Sequence, residues 1–527
     1  MAKAKSTTPK TKTTAKKAKP ATKTKPEVVK ELPAPAPQQS LPAPMKVAFV
    51  ISECVPFVKT GGLADVGGAL PKALAQLGLE VKVFVPLYSS IKTIDHGLAF
   101  SSDLTDMAAQ IGDKTVPFHA WYKKDASGVE YHFVDCPHYF HRSKVYTTDW
   151  DEDERFFLFQ NAAMMIMQRY NWAPDILHCN DWQAALMPVY MKEKYSWDHL
   201  FSKTACVISL HNIKHQGRSS EKSIYAAGLK YDQFYPGGPF EFHNSFSTLK
   251  AGIMYSELVT TVSPTYAQEL LTPEYGEGFD GVLRSRQDHL VGILNGIDPQ
   301  AWSPQTDTLI PQQYTFETFE QKKANRRALL EHAHLPYDDN VPVIGMVARL
   351  DEQKGIDLLT PVLNELLNLP VQFVVLGTGE HKYEDFFRWA SHNYRDKVYA
   401  YIGFSNELAH LITAGSDMYL MPSRYEPCGL NQMYSLNYGT VPIVRKTGGL
   451  ADTVMDYHEF DGQGNGFSFQ DYTSYALGTS VQRAVSLYHN KGEWMRIVGR
   501  GMKADFSWRH SAGQYVQAYK RAQAMRG

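Results

Sequence analysis

The sequence predicts an α/β protein built from two Rossmann-like parallel-sheet domains that face a central cleft. Three observations carry this. Short apolar runs of strand length recur and alternate with helical periods. Glycine and polar residues gather where those runs end, and ligands of open α/β sheets bind at the carboxyl ends of the strands. The 527 residues are also too many for one ordinary core, so two or three domains are expected.

Residues 1–44 hold ten Lys, no Arg and two Glu, a net +8 that leaves −9 on the remainder. This Ala/Lys/Thr/Pro-rich tail is expected to be disordered, because it cannot bury a core. It has no apolar h-region and reads as a solvated tail or an electrostatic arm. The mildly acidic body argues against nucleic acid as the main partner. No apolar run reaches the length of a membrane span. Five cysteines with no CxxC read as reduced thiols. The chain is expected to be cytoplasmic, with plastid import left open.

The first α/β series begins at Lys46–Ser52, a strand, with a helix from Val66 to Leu77 and a strand at Val81–Val85. The crossover loop Lys59-Thr-Gly-Gly-Leu-Ala-Asp65 offers close backbone approach at Gly61 and Gly62 and a point charge at Lys59. It suits a phosphate or is a tight structural turn; it is neither a dinucleotide fingerprint nor a P-loop. Further strands are expected at Asp175–His178, before a helix Gln183–Tyr190, and at Ala205–Leu210, ending in His211. A helix Ser247–Glu257, a strand Leu258–Val262 and a strand Leu290–Leu294 follow, the last ending in Asn295-Gly296. The acids Asp151–Glu154 precede an apolar run and read as a charged helix start. No His/Cys/Asp set has metal spacing, so neither metal nor cofactor is expected.

After a connector at 298–340, a second series starts with Val341–Ala348. Arg349 and Lys354, five residues apart on the loop behind it, suit two oxygens of a pyrophosphate or are surface cations. Val371–Leu376 leads to Gly377, Val398–Ile402 to Gly403-Phe404, and Val441–Val444 to Thr447-Gly448-Gly449. The strand Met418–Pro422 runs into Ser423-Arg-Tyr-Glu426-Pro-Cys-Gly-Leu430, before a helix that stops at Gly439. Glu426 therefore sits on a strand-to-helix turn, either managing charge in the crevice or capping the helix.

These motifs together, with Gly292-Ile-Leu-Asn-Gly-Ile-Asp298 and His211-Asn-Ile…His215-Gln-Gly217, resemble bacterial glycogen synthases and plant-type starch synthases over residues 45–527. The resemblance implies the GT-B fold, with domains at 45–300 and 301–505 and a helix in 506–527 crossing back to the first. It implies glucose transfer from ADP-glucose to the non-reducing 4-OH of an α-1,4-glucan, with retention. Lys59, Arg349 and Lys354 would hold the phosphates, with Glu426 near glucose and ribose. The backbone at Cys428, Gly429 and Leu430, like the turn at Gly377 and that at Thr447, Gly448 and Gly449, would contact the substrate. His211 and Asn295 would face the glucose, Asp65 would lie by the Gly loop, and Phe404 beside the adenine. Glu426, His211, Lys354 and Arg349 are the expected catalytic set. His178-Cys-Asn-Asp-Trp182 departs from the bacterial His-Asp-Trp-His form. Another GT-B transferase, a phosphorylase or a non-catalytic glucan scaffold are the alternatives. No oligomeric state is read from the sequence.

Overall fold

Nineteen strands are distributed over three sheets in the computed structural model, which describes residues 44–298 and 301–526. The basic tail lies outside the described residues but for Pro44. In chain order the strands are Lys46–Val50 (β1), Glu80–Pro86 (β2), Ala99–Phe100 (β3), Met107–Ile111 (β4), Lys114–Lys124 (β5), Glu130–Asp135 (β6), Ile176–Asn180 (β7) and Ala205–Leu210 (β8). Arg218–Ser219 (β9), Glu241–Phe242 (β10) and Ser245–Ser247 (β11) form a small separate sheet, and Leu258–Thr261 (β12) and Leu290–Gly292 (β13) complete the large one. Val343–Val347 (β14), Gln372–Gly377 (β15), Val398–Ile402 (β16), Met418–Met421 (β17), Val441–Arg445 (β18) and Phe467–Phe469 (β19) make the third.

The large sheet runs β13-β12-β8-β7-β1-β2-β6-β5-β3, and the third runs β16-β15-β14-β17-β18-β19. The third is parallel throughout. β1 and β8 are buried almost end to end, without alternation, because helices cover both faces of a parallel sheet. The large sheet departs from the expected parallel design. β5 pairs antiparallel with β6, β3 and β4. Its start alternates exposed and buried residues, as a strand with one wetted face does.

Two helices differ from expectation. The first spans Gly62–Gln76, so Gly62 belongs to its opening turn. Gln183–Tyr190 is a run of turns, then Met187–Val189 and a single wide turn over Tyr190–Lys194. Pro188 there lacks the N–H that a regular helix would direct to residue 184. The acids at 152–154 do form the first turn of a helix, Glu152–Arg169.

The C-terminal helix Trp508–Arg526 packs on the helix Gly62–Gln76 and on β8. Its buried face carries Ala512, Tyr515, Tyr519 and Ala522. At its start, a Cβ on Gly296 would lie 2.6 Å from the Trp508 Cα, so the Asn295-Gly296 turn can approach only as glycine. The core of the first sheet continues through this helix to Cys428, Met433 and Tyr434 behind Glu426. Among the described residues no helix is long and apolar enough to cross a membrane.

Candidate active site

Glu426 lies on the turn after β17, and its carboxylate is nearly buried. Lys354 Nζ donates to Glu426 Oε2 at 2.6 Å and Ser423 Oγ donates to the same oxygen at 3.0 Å. The helix behind, Asn431–Asn437, has no side-chain cap, so Glu426 is not its capping residue. Lys354 is delivered by a short 3₁₀ turn, Glu352–Lys354, capped by Asp351. Gly355 follows at φ +74°, and a Cβ there would run into the Pro422 carbonyl. Only glycine lets that loop close on the end of β17 and set the ammonium against the carboxylate.

Arg349 stands on the same loop but points elsewhere. Its guanidinium donates to Gln353 Oε1 at 2.8 Å and pairs with Asp351 at 2.8 Å, and 63% of the side chain stays exposed. Its charge reaches His215 of the first lobe, the part of the chain built on the large sheet; the His215 pKa is lowered by burial, then by Lys214 and Arg349. Gly377 closes β15 in tight packing against the Ala348 carbonyl. Phe404 follows the edge strand β16 and is 88% exposed.

The turn Thr447-Gly448-Gly449 is buried. Gly449 N–H donates to the Glu426 carbonyl at 3.1 Å, and a Cβ at Gly448 or Gly449 would strike the Glu426 or Cys428 carbonyl. Glu269, from the first lobe, accepts from Thr447 Oγ1 at 2.7 Å and from Gly448 N–H at 3.0 Å. In return Asp452 accepts from Thr265 N–H at 3.0 Å and Thr265 Oγ1 at 2.6 Å. Each of the helices Pro264–Glu269 and Gly448–Thr453 thus has its positive end satisfied by the other's carboxylate. In this structure the amide donors read as substrate ligands at Gly448 and Gly449 serve protein contacts.

Gly429 adopts φ +69° beside Glu426 Cγ, and Leu430 packs into the first core. Cys428 is buried, which pushes its thiol up to about 12 although the Asn295 backbone N–H pulls it down. Such a thiol carries little thiolate and is a poor nucleophile. Asn295 is itself buried, with its side-chain oxygen unpartnered.

On the first lobe, Lys59 pairs with Asp65 at 2.7 Å and remains 55% exposed. Burial raises the Asp65 carboxyl while Lys59 pulls it down. The amides of Thr60 and Gly61 donate to Glu53 Oε2 at 2.5 and 3.2 Å, and Tyr146 donates to Glu53 Oε1 at 2.6 Å. The glycine turn therefore holds an anion, but one the chain supplies itself. Sequence reasoning missed Glu53; its signal was a carboxylate directly after a buried strand.

His211 follows β8. Its Nε2 bonds Asn180 Oδ1 at 2.9 Å, and its backbone N–H donates to Asp181 Oδ1 at 2.8 Å. Burial lowers the imidazole to about 4, so it is neutral at pH 7. Burial pushes the Asp181 carboxyl up to about 7, against the backbone N–H groups of His211 and Asn212. Asp181 sits at φ +55°, an uncommon backbone for a residue with a Cβ. The sequence reading quoted the Asn-Asp-Trp motif without assigning Asp181 to the site. Among the described residues no group of three or more His, Cys, Asp and Glu could hold a metal ion.

Two family models match the chain: the starch synthase catalytic domain over residues 46–285 and glycosyl transferases group 1 over 330–495. A glycogen synthase of Desulforudis audaxviator is 44% identical over 486 residues, covering 91% of this chain and 97% of that protein. One from Anoxybacillus flavithermus is 41% identical over 483 residues, covering 92% and 99%. Among solved structures, the catalytic domain of starch synthase IV from Arabidopsis thaliana, bound to ADP and acarbose, superposes with a TM-score of 0.84 at 32% identity. It covers 91% of this chain and 100% of its own. Sucrose-phosphate synthase from Thermosynechococcus elongatus shares the fold at a TM-score of 0.54 and 17% identity.

Proposed function

The chain belongs to the glycogen and starch synthase family of glucosyltransferases, and from that premise we propose how its own residues transfer glucose from ADP-glucose to an α-1,4-glucan. A nucleotide-sugar donor and a glucan acceptor follow from the family. The choice of ADP-glucose rests on the solved relative that holds ADP. The observation that carries the residue assignment is the Lys354–Glu426 pair at the end of β17, with Arg349 exposed on the same loop.

In this reading, Lys354 and Arg349 bind the diphosphate. As the bond from glucose C1 to the β-phosphate oxygen breaks, its electron pair leaves with ADP, and these cations stabilise the charge that grows there. Positive charge develops on the sugar, and Glu426 lies nearby to stabilise it. The acceptor 4-OH attacks C1 on the face ADP leaves, and its proton passes to the departing phosphate oxygen, which retains the configuration. Neutral His211 and Asn295 offer hydrogen bonds to the glucose. Lys59 approaches the phosphates from the first lobe, exchanging Asp65 for them. The backbone amides of Thr60 and Gly61 are free to bind substrate only once Glu53 is displaced. Phe404 offers a ring face to the adenine.

Labelled glucose incorporation into glycogen from ADP-glucose and from UDP-glucose tests this. We expect incorporation from ADP-glucose, reduced by roughly 10²–10³ in Lys354→Ala and largely lost in Glu426→Ala. Incorporation from UDP-glucose alone overturns the donor. Full activity in both variants overturns the site.

A further inference from the structure

A cavity of about 800 Å³ opens on the first lobe beside the loop that follows His211. Its walls include two indoles, Trp150 and Trp182, together with Asp149, Asp153 and Gln216. Lys214 and Glu277 line both this cavity and a second one of about 400 Å³, which is bounded by Gln353, Arg424 and Tyr425. Gln353 and Tyr425 are the chain neighbours of Lys354 and Glu426, so the second cavity lies next to the reacting centre and shares Lys214 and Glu277 with the first.

We infer that this cavity is an outer binding subsite for the acceptor glucan, with Trp150 as its stacking platform; this rests on the synthase reading above. Three features select a neutral polyhydroxylated chain. The lining holds four acids, Asp149, Glu152, Asp153 and Glu277, against two cations, Lys214 and Arg218, which disfavours a nucleotide or any other polyanion. Trp150 is 81% exposed, an indole left in water at the rim of a cavity, and Lys114 Nζ stands 5.0 Å from its ring centroid. The aliphatic C–H faces of a pyranose stack on such a ring. The Asp153 carboxylate accepts only the Glu154 backbone N–H among the described residues, leaving acceptor capacity for sugar hydroxyls.

The floor is rigid. Trp182 packs edge-on against Phe156 with centroids 5.0 Å apart. Gly217 lies at φ +54° where a Cβ would come within 2.9 Å of the Trp182 ring, so a larger residue would displace the indole. Gln216 is held by donating to the Glu277 carbonyl at 2.9 Å. A glucan whose non-reducing end meets the donor at Glu426 would leave the cleft past Lys214 and Glu277 and reach Trp150 only if it is several residues long. Short acceptors would not touch it.

The test compares KM for maltotriose and maltoheptaose in the wild-type chain, Trp150→Ala and Trp150→Phe, with ADP-glucose saturating. The alanine variant is expected to raise the maltoheptaose-to-maltotriose KM ratio roughly five- to tenfold, and the phenylalanine variant to restore most of it. Maltoheptaose should also perturb tryptophan fluorescence in the wild type and less in Trp150→Phe. Because Trp150 is exposed, both variants should keep the wild-type melting temperature. A ratio unchanged in Trp150→Ala overturns the subsite while leaving the synthase reading intact. A wild-type chain that extends no acceptor overturns the reading and the subsite together.

Discussion

At the end of β7, Asp181 combines a left-handed backbone with a carboxyl that burial lifts to about 7. The folded pKa lies above the unfolded value, so the native state holds a proton that the unfolded state has already lost between about pH 4 and 7. Its contribution to stability is complete below pH 4 and is lost as the pH rises through 7. Asp181→Asn keeps the oxygen that accepts the His211 N–H but cannot ionise. The variant should therefore gain stability relative to wild type as the pH rises from 4 to 7, by at most ~4 kcal/mol for a gap of about three pH units. Urea unfolding of both proteins at pH 5 and pH 8 measures this. A stability difference that does not change with pH would contradict the assignment. Cys428 shows the same desolvation acting on a thiol: burial raises it and removes the thiolate that redox chemistry beside Glu426 would need.

Between elements, the decisive contact is the reciprocal capping of Pro264–Glu269 and Gly448–Thr453 by Glu269 and Asp452. Neither helix was legible as an interlobe element, because each is six residues long and its partner lies some 180 positions away. The Thr-Gly-Gly turn read as a substrate ligand for the same reason that Glu269 binds it: N–H groups at a helix start donate to any carboxylate or phosphate. Charge-assisted bonds of this kind contribute roughly 1.5–3 kcal/mol. Glu269→Ala removes two of them and should loosen the lobes, seen as a larger radius of gyration by X-ray scattering without ligand. Adding ADP should reduce that radius again if donor phosphates bridge the lobes. An unchanged radius in Glu269→Ala would show that the latch does not hold the lobes together.

Over the whole molecule, the strand-helix rhythm was readable because both faces of a parallel strand are covered and its residues are uniformly apolar. Every strand of the third sheet but Phe467–Phe469 was expected from this signal. The antiparallel extension β3–β6 was not assigned, because half-wetted strands such as Lys114–Lys124 mix Lys and His into the pattern. Motif order named Glu426, Lys354 and His211 as candidates, but burial partners such as Glu53 and Asp181 required the fold.

The extension also holds a test of acid stability. His132 on β6 is buried with both ring nitrogens unpartnered, stacked on Phe84 and tilted against Tyr122 and Tyr170. Desolvation lowers it to about 4. His178, between Tyr519 of the C-terminal helix and Ser209, is lowered to about 3, and His211 to about 4. For each, the folded pKa lies below the unfolded value of about 6.5. The stability they confer is present above pH 6.5 and lost as the pH falls, by about 1.4 kcal/mol per pH unit for each group. Asp181 acts in the opposite sense over the same range but is one group against three, so these four together favour unfolding as the pH drops from 6.5 to 4. His132 is the member that can be removed without stranding a hydrogen-bond partner. His132→Phe should keep the aromatic packing and reduce the proton uptake of acid unfolding by one. It should also raise stability at pH 5 by about 2 kcal/mol relative to its effect at pH 8. Urea midpoints at the two pH values decide the point: an equal shift at both would mean that His132 is already protonated in the native state.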